Sequence, residues 1–406
     1  MAAGVSKPLR SSYDVVIVGG AMIGSSIAWF LSDLKSDKGD FDGSVLVVER
    51  DPSYENSSTS RTNSCMRQQF SNGLNIKISQ FGAEYVRNFA RCMGNDSEAP
   101  ELAVNHFGYM YLASDQEFAD VLRCNQQVQR SLGAGTRIMN PGEIASEYPF
   151  YNVEDIICGS HNLVDEGYFD GGTMFEWWRR KARHNGVEYL ANGVVDINRR
   201  ADAVCSVRLA TGEELSVGDV VNASGPRAAL TARMAGLELP VEPRRRYTFM
   251  FDAAQRLERD LPLTIDPTGV HVRSDGDVYM AGCAPDDDLA VDYDDLRMDR
   301  DIWEAKVWPA LAHRIPSFER IKVTHQWAGH YAYNTLDHNV IVGRHNEVSN
   351  FIFANGFSGH GLQQSPAIGR GVAELIAYNE YRSLDLSPLG YERIARRDPF
   401  IETAVI

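Results

Sequence analysis

The chain has 406 residues, 44% of them hydrophobic and 23% charged, and its 40 Lys and Arg against 55 Asp and Glu give a net charge of −15 at pH 7. These proportions exclude disordered, collagen-like and coiled-coil classes, and the length supplies two or three domains' worth of chain. The acidic balance argues against nucleic acid or an anionic membrane as partner. It leaves room for an anionic small molecule held by a local cluster of arginine.

Six cysteines, at 65, 92, 124, 158, 205 and 283, form no C-x-x-C. Reduced thiols in a cytoplasmic protein are expected, without a metal site. Residues 1–12 are polar and carry no apolar segment, so no secretory signal is expected. Residues 15–31 read VVIVGGAMIGSSIAWFL. Gly19, Gly20, Gly24 and the paired serines fit a strand, a tight turn and a helix rather than a membrane span.

In chain order, residues 13–18 predict a buried parallel strand, 25–34 a helix, and 45–49 a second buried strand ending in Glu49. Residues 35–43 read as a polar loop. This is a βαβ start. Residues 75–91, 115–132, 141–148 and 168–185 carry helical spacing. Residues 107–112, 187–190, 193–198, 206–209 and 219–222 read as strands. Residues 246–251, 270–273 and 278–282 predict an antiparallel sheet of a second domain. Residues 286–301 hold eight aspartates and read as a solvated loop. Residues 302–308 predict a helix broken by Pro309. Residues 340–343 and 351–354 are short strands, then a glycine turn leads to a helix over 362–378. The expected class is α/β: a Rossmann-type domain over 13–95, 150–235 and 325–380, interleaved with an antiparallel-sheet substrate domain over 96–149 and 236–324, and a C-terminal tail over 381–406.

Three segments carry chemistry. In the first, Gly19, Ala21 and Gly24 take the places of G-x-G-x-x-G, with Met22 in the same turn. Gly19 supplies the tight turn, Gly24 the close helix–strand packing, and the helix N-terminus holds an anion. Glu49, ending the next strand, suits the ribose hydroxyls of an adenosine. A plain βαβ turn is the alternative. In the second, the strand 219–222 ends in Ala223-Ser224-Gly225-Pro226, small residues that let a cofactor approach backbone. In the third, Gly356, Gly359 and Gly361 lead into a helix whose N-terminus suits an anionic ring edge. Residues 356–360 miss the hydrolase pattern G-x-S-x-G, because His360 stands at its last place.

The stretches DVVIVGGAMIGSSIAWFL, VLVVERD, STSRTNSCMRQQFS, VVNASGP, WAGHYAYNTLDHNVIVG and NGFSGHGLQQSPAIGRGVAEL span residues 14 to about 378. Together they resemble the D-amino-acid oxidase/sarcosine oxidase superfamily of FAD-dependent oxidoreductases, in its FOXRED-like branch. The resemblance implies FAD bound between the two domains. Gly19, Ala21, Met22 and Gly24 would lie at the pyrophosphate, and Glu49 and Arg50 at the AMP half. Ser58, Thr59, Ser60 and Asn63 would line the flavin loop. Val195 would touch the adenine, and Ser224 and Gly225 would pass close by. Gly359, His360, Gly361, Leu362 and Gln363 would meet the pyrimidine edge.

The resemblance also implies oxidation of a C–N bond in an N-substituted secondary or tertiary amino acid of sarcosine, dimethylglycine or iminodiacetate type. Hydride passes to flavin N5, and the resulting imine is hydrolysed. The partner is a small amine carrying one or more carboxylates, with oxygen or an electron-transfer acceptor as second substrate. An oxidase is the expected class. Met280, at or next to the place of a lysine that helps oxygen react in sarcosine-oxidase-like members, makes a quinone or flavoprotein acceptor credible. His330 falls near the place of the flavin-linking cysteine of those members, so FAD is expected to be non-covalent, with a histidyl link as the alternative.

Arg67, Arg244, Arg246, His271 and Arg273 are candidates for holding the carboxylate, Arg67 being best placed after the flavin loop. Tyr247, Tyr331 and Tyr333 are candidates to line the pocket. The alternatives are a D-amino-acid or opine dehydrogenase, a nicotinamide-dependent dehydrogenase, and a flavin-containing assembly factor of respiratory complexes.

Overall fold

The structure is a computed structural model that describes residues 6–37, 41–94 and 96–403. Residues 1–5 of the polar start, 38–40 of the polar loop and 404–406 of the expected tail lie outside the described residues.

A central parallel sheet runs through Phe351–Asn355, Glu214–Asn222, Ser12–Val18, Val45–Glu49 and Glu188–Ala191. Ser12–Val18 and Val45–Glu49 are short and valine-rich, and Phe351–Asn355 is buried throughout, as strands covered on both faces are. Val15, Ile17 and Val47 point into one core with the helices Met22–Asp37, Gly171–His184 and Gly361–Tyr378. Val16, Val18, Leu46 and Val48 point into a second core over the helix Ala228–Met234 and the antiparallel strands Val194–Arg200 and Ala203–Leu209. The period of two along each strand therefore fills both layers.

A second, mostly antiparallel sheet has eight strands in the order Ile321–Asn334, Val241–Ala253, Val278–Cys283, His271–Asp275, Leu263–Ile265, Tyr109–Ala113, Cys158–Asn162, Arg137–Met139. Two expected domain boundaries differ here. Cys158–Asn162 pairs with Tyr109–Ala113, and Ile321–Asn334 pairs with the whole of Val241–Ala253. Residues 158–162 and 325–334 thus lie in the second sheet, not with 150–235 and 325–380 in the first, while 321–324 fall in it as expected. The first half of Ile321–Asn334 is largely solvent-facing, which hides its strand pattern in the sequence. Pro309 does not break a helix. A π-helical stretch over Trp303–Val307 runs straight into Trp308–Arg314, and Pro309 sits at that junction.

The expected tail packs back on the body. Asp337 is fully buried and accepts from Arg393 Nε at 2.6 Å, Asn334 Nδ2 at 2.7 Å and Phe400 N at 3.0 Å. Glu402, also fully buried, accepts from Ser71 N at 2.8 Å and from Asn72 and Asn75 Nδ2 at 2.9 Å. Breaking such a buried pair from one side costs about 3–5 kcal/mol. Arg393→Ala is expected to lower stability by about that amount, read as a shift in the denaturant midpoint with unchanged slope. A shift below about 1 kcal/mol would show that Asp337 is held without it.

Among the described residues no helix is long and apolar enough to cross a membrane. No group of three or more His, Cys, Asp and Glu among them could hold a metal ion.

Candidate active site

An elongated cavity of about 1050 Å³ runs between the two sheets, at the upper end of ligand pockets in general. One half is built on the parallel sheet. Gly19 ends the first strand at φ +101°, and a Cβ there would lie 2.5 Å from the carbonyl oxygen of Ala223. A Cβ on Gly24 would lie 1.9 Å from the Gly19 carbonyl oxygen, so Gly24 serves helix–strand packing and does not line the cavity. Ala21 and Met22 line it where the helix Met22–Asp37 begins, with no acidic residue in its first turn to offset the positive end. The Met22 N–H donates to Thr59 Oγ1 at 3.2 Å.

Glu49 accepts from Gly20 N and Asp51 N, both at 2.8 Å, and burial pushes its carboxyl above the usual range. Asn192, Val195 and Thr211 line the far end, and Ser224 and Gly225 the floor. Arg50 lines the mouth and pairs with Asp294 at 2.8 Å. Arg227, which the sequence reading did not single out, holds the other oxygen of Asp294 at 2.5 Å. The acidic segment 286–301 is therefore not simply solvated: Tyr293, Asp294 and Leu296 lie across the cavity as a strap.

The other half joins the loop after Tyr54 to the second sheet. Ser58 Oγ donates to the His330 carbonyl at 2.7 Å, and Arg61 Nη1 to the Ala328 carbonyl at 2.9 Å. Ser58, Thr59 and Asn63 line the cavity. Ser60 does not, because its hydroxyl turns back to the Tyr54 carbonyl at 2.7 Å.

Arg67 is 1% exposed and lines the cavity. Its N–H donates to Gln363 Oε1 at 2.8 Å, Nη1 to the Gln69 carbonyl at 2.6 Å, and Nη2 lies 2.7 Å from His360 Nε2. Its guanidinium carbon sits 4.3 Å from the Phe70 ring centroid. Burial, then the charge of Arg67, holds His360 well below its ordinary pKa, so Nε2 accepts from the guanidinium. Gly359, His360, Gly361, Leu362 and Gln363 all line this half, at the start of the helix Gly361–Tyr378.

His330 and Tyr331 line it from the edge strand, His330 Nε2 lying 2.7 Å from the Asp295 carbonyl oxygen. His271 Nε2 lies 3.0 Å from Asn63 Nδ2. Burial, then Arg246 and Arg273, lowers His271 to about 4, so it is neutral at pH 7. Asn63 Oδ1 and His271 Nδ1 are buried without a hydrogen-bond partner among the described residues. Buried polar atoms of this kind call for a ligand that supplies the missing bond.

Arg273 differs from expectation: it does not line the cavity. Its head is held by Asp275 at 2.7 Å and by the Asn63 carbonyl at 3.0 Å, so it braces the loop that carries Asn63. Met280 packs its sulfur 3.5 Å from the same guanidinium and does not line the cavity either.

The geometry is that of a dinucleotide cradle continuous with a buried, cation-walled chamber. The model of the family described as FAD dependent oxidoreductase matches residues 14–375. The chain is 37% identical to the FAD-dependent oxidoreductase domain-containing protein 1 of Xenopus laevis, over 97% of this chain and 85% of that one. It is 23% identical to the mitochondrial sarcosine dehydrogenase of Mus musculus, over 92% of this chain and 41% of that protein. The fold is similar to that of L-proline dehydrogenase from P. horikoshii, with a TM-score of 0.82 at 24% identity over 96% and 99% of the chains. It is also similar to that of iminodiacetate oxidase from Chelativorans sp. BNC1, with a TM-score of 0.73 at 17% identity over 93% and 98%. The chain belongs to the family of FAD-dependent oxidoreductases, and FAD is its cofactor.

Proposed function

We propose that this enzyme oxidises a C–N bond of an N-substituted amino acid. The observation that carries the reading is the guanidinium of Arg67, almost fully buried in the chamber wall beyond the dinucleotide cradle. A buried fork of this kind binds a carboxylate in one orientation. Sarcosine dehydrogenase among the relatives and iminodiacetate oxidase among the similar folds support the substrate class.

The cradle residues fit FAD. Gly19, Ala21 and the helix behind Met22 would take the pyrophosphate, and Glu49 the ribose of the AMP half. Ser224 and Gly225 would take the backbone-facing side. Asn63 and the turn from Gly359 to Gln363 would take the ring. FAD held there would supply the acceptor for a hydride from the carbon beside the substrate nitrogen.

The chain supplies the rest. Arg67 orients the carboxylate, which fixes the adjacent carbon and nitrogen. Arg67 lines the chamber, and nearby positive charge disfavours an ammonium; Arg246 adds little to this while Asp288 pairs with it. The reaction needs the substrate nitrogen neutral, with its lone pair free to form the C=N bond as the hydride leaves. His271 and His360 stay neutral as well, and add no positive charge. Water then adds to the imine and splits it into a carbonyl compound and an amine.

The test is product analysis after a single anaerobic turnover with sarcosine. Formaldehyde and glycine, or glyoxylate and methylamine, in amounts equal to the enzyme would support the reading and name the bond broken. Reduced enzyme with neither product pair would overturn it.

Non-covalent attachment of FAD gives a second expectation. His330 is engaged by the Asp295 carbonyl, and burial pushes the thiol of Cys65 up, away from the thiolate. Acid precipitation is expected to leave the flavin in the supernatant. A yellow pellet would contradict it.

A further inference from the structure

The chamber holds a second arginine beside Arg67. Arg246 lies on the strand Val241–Ala253, is 9% exposed and lines the cavity. Its guanidinium carbon is 4.6 Å from the centroid of the Tyr331 ring. The phenol end of the same ring packs on Gly359, where a Cβ would come within 2.8 Å of the hydroxyl, and the next residue, His360, contacts Arg67. Tyr331 thus lies near both guanidiniums, and feels the charge of each.

Arg246 already holds a carboxylate. Nη1 and Nη2 donate to the two oxygens of Asp288 at 2.7 and 2.9 Å, the parallel fork that a free carboxylate would take. Its Nε is buried without a partner among the described residues. Asp288 comes from the strap 286–301, its side chain is 26% exposed, and the adjoining Leu289 is 71% exposed. Asp288 is therefore partly exposed, and it also faces Arg244 Nη1 at 3.5 Å, a second cation that can keep it paired when it leaves Arg246.

Resting on the reading that the chamber takes an amine bearing a carboxylate, we propose that Arg246 is the seat of a second carboxylate and that the substrate is a dicarboxylate amine. Asp288 occupies the seat and yields it to the incoming group. The exchange replaces like with like, so the buried guanidinium is never left without an anion, the state that makes breaking buried pairs costly. A substrate with one carboxylate engages Arg67 and leaves Asp288 in place. A substrate with two engages both arginines, which line the same cavity.

The test uses the FAD-loaded protein and unreactive probes. Succinate and glutarate are titrated against propionate and butyrate while the visible flavin spectrum is recorded. The dicarboxylates are expected to bind at least tenfold more tightly than the monocarboxylates. Arg246→Ala is expected to remove that preference. Asp288→Asn is expected to enlarge it, because a carboxamide competes poorly for the guanidinium. Equal affinity for the two probe classes, or a preference unmoved in both variants, overturns the proposal. Should Arg246→Ala fail to fold, the opposite-signed Asp288→Asn arm decides alone. Reduction of the flavin by an amine with one carboxylate, without any dicarboxylate preference, leaves C–N oxidation standing and removes only this proposal. A dicarboxylate preference with no amine reducing the flavin does the reverse.

Discussion

An Arg67→Ala enzyme is expected to keep its FAD and to lose about a hundredfold or more in the efficiency with which an amino-acid substrate reduces it. The magnitude follows from losing one partner of a buried, hydrogen-bonded charge pair, about 2–5 kcal/mol at about 1.4 kcal/mol per factor of ten. The fork of Arg67 is positioned by Gln69, His360 and the Phe70 ring, and is 1% exposed. Lysine in its place keeps the charge but not the planar fork, so Arg67→Lys is expected to recover only part of the loss. Anaerobic rapid mixing reads the rate and affinity of flavin reduction, and the visible spectrum reads FAD content. Reduction within threefold of the unmodified enzyme would remove Arg67 from the substrate site.

The second large effect is expected at the cofactor end. Gly19→Ala should yield folded protein without flavin. Alanine at φ +101° costs upwards of about 1 kcal/mol in backbone strain alone. The added methyl also meets the Ala223 carbonyl at 2.5 Å, and backbone there has no free rotamer with which to yield. The turn must then part from the strand Glu214–Asn222, and Ser224 and Gly225 leave the cavity floor with it. Gly186 is the matched control: it has φ +92° but open space where its Cβ would stand. Gly186→Ala carries the strain without the collision, and is expected to lose some stability while retaining FAD. The ratio of visible to ultraviolet absorbance of the purified variants checks both. Full flavin content in Gly19→Ala would show that the turn tolerates the shift.

The parts legible in the sequence are those whose chemistry is local. The glycine turn, Glu49 at the end of the second strand and the run from Gly359 to Gln363 are each contiguous. Turn geometry and strand period say where such residues face. The strap was not legible, because Asp294 finds Arg227 across 67 positions and Arg50 across 244. A run of aspartates reads the same whether water or arginine faces it.

Side-chain direction within irregular loops was equally hidden. Thr59 faces the cavity and Ser60 turns away, although both carry a hydroxyl on the same turn. His271 and Arg273 share a strand face by the period of two, yet only His271 reaches the cavity. Arg273 is drawn to Asp275 and to the backbone of Asn63. The edge strand Ile321–Asn334 brings His330 and Tyr331 to the site, but its polar, exposed first half masks its alternation.

A carboxylated amine seated on Arg67 is expected to reduce the enzyme's FAD. The most direct measurement is the visible spectrum of the purified protein, recorded anaerobically while sarcosine, dimethylglycine, proline and iminodiacetate are added in turn. Flavin bands are expected at the outset that bleach with at least one of these compounds, and that fail to bleach at the same concentration in Arg67→Ala. Flavin bands that persist through every addition would contradict that expectation.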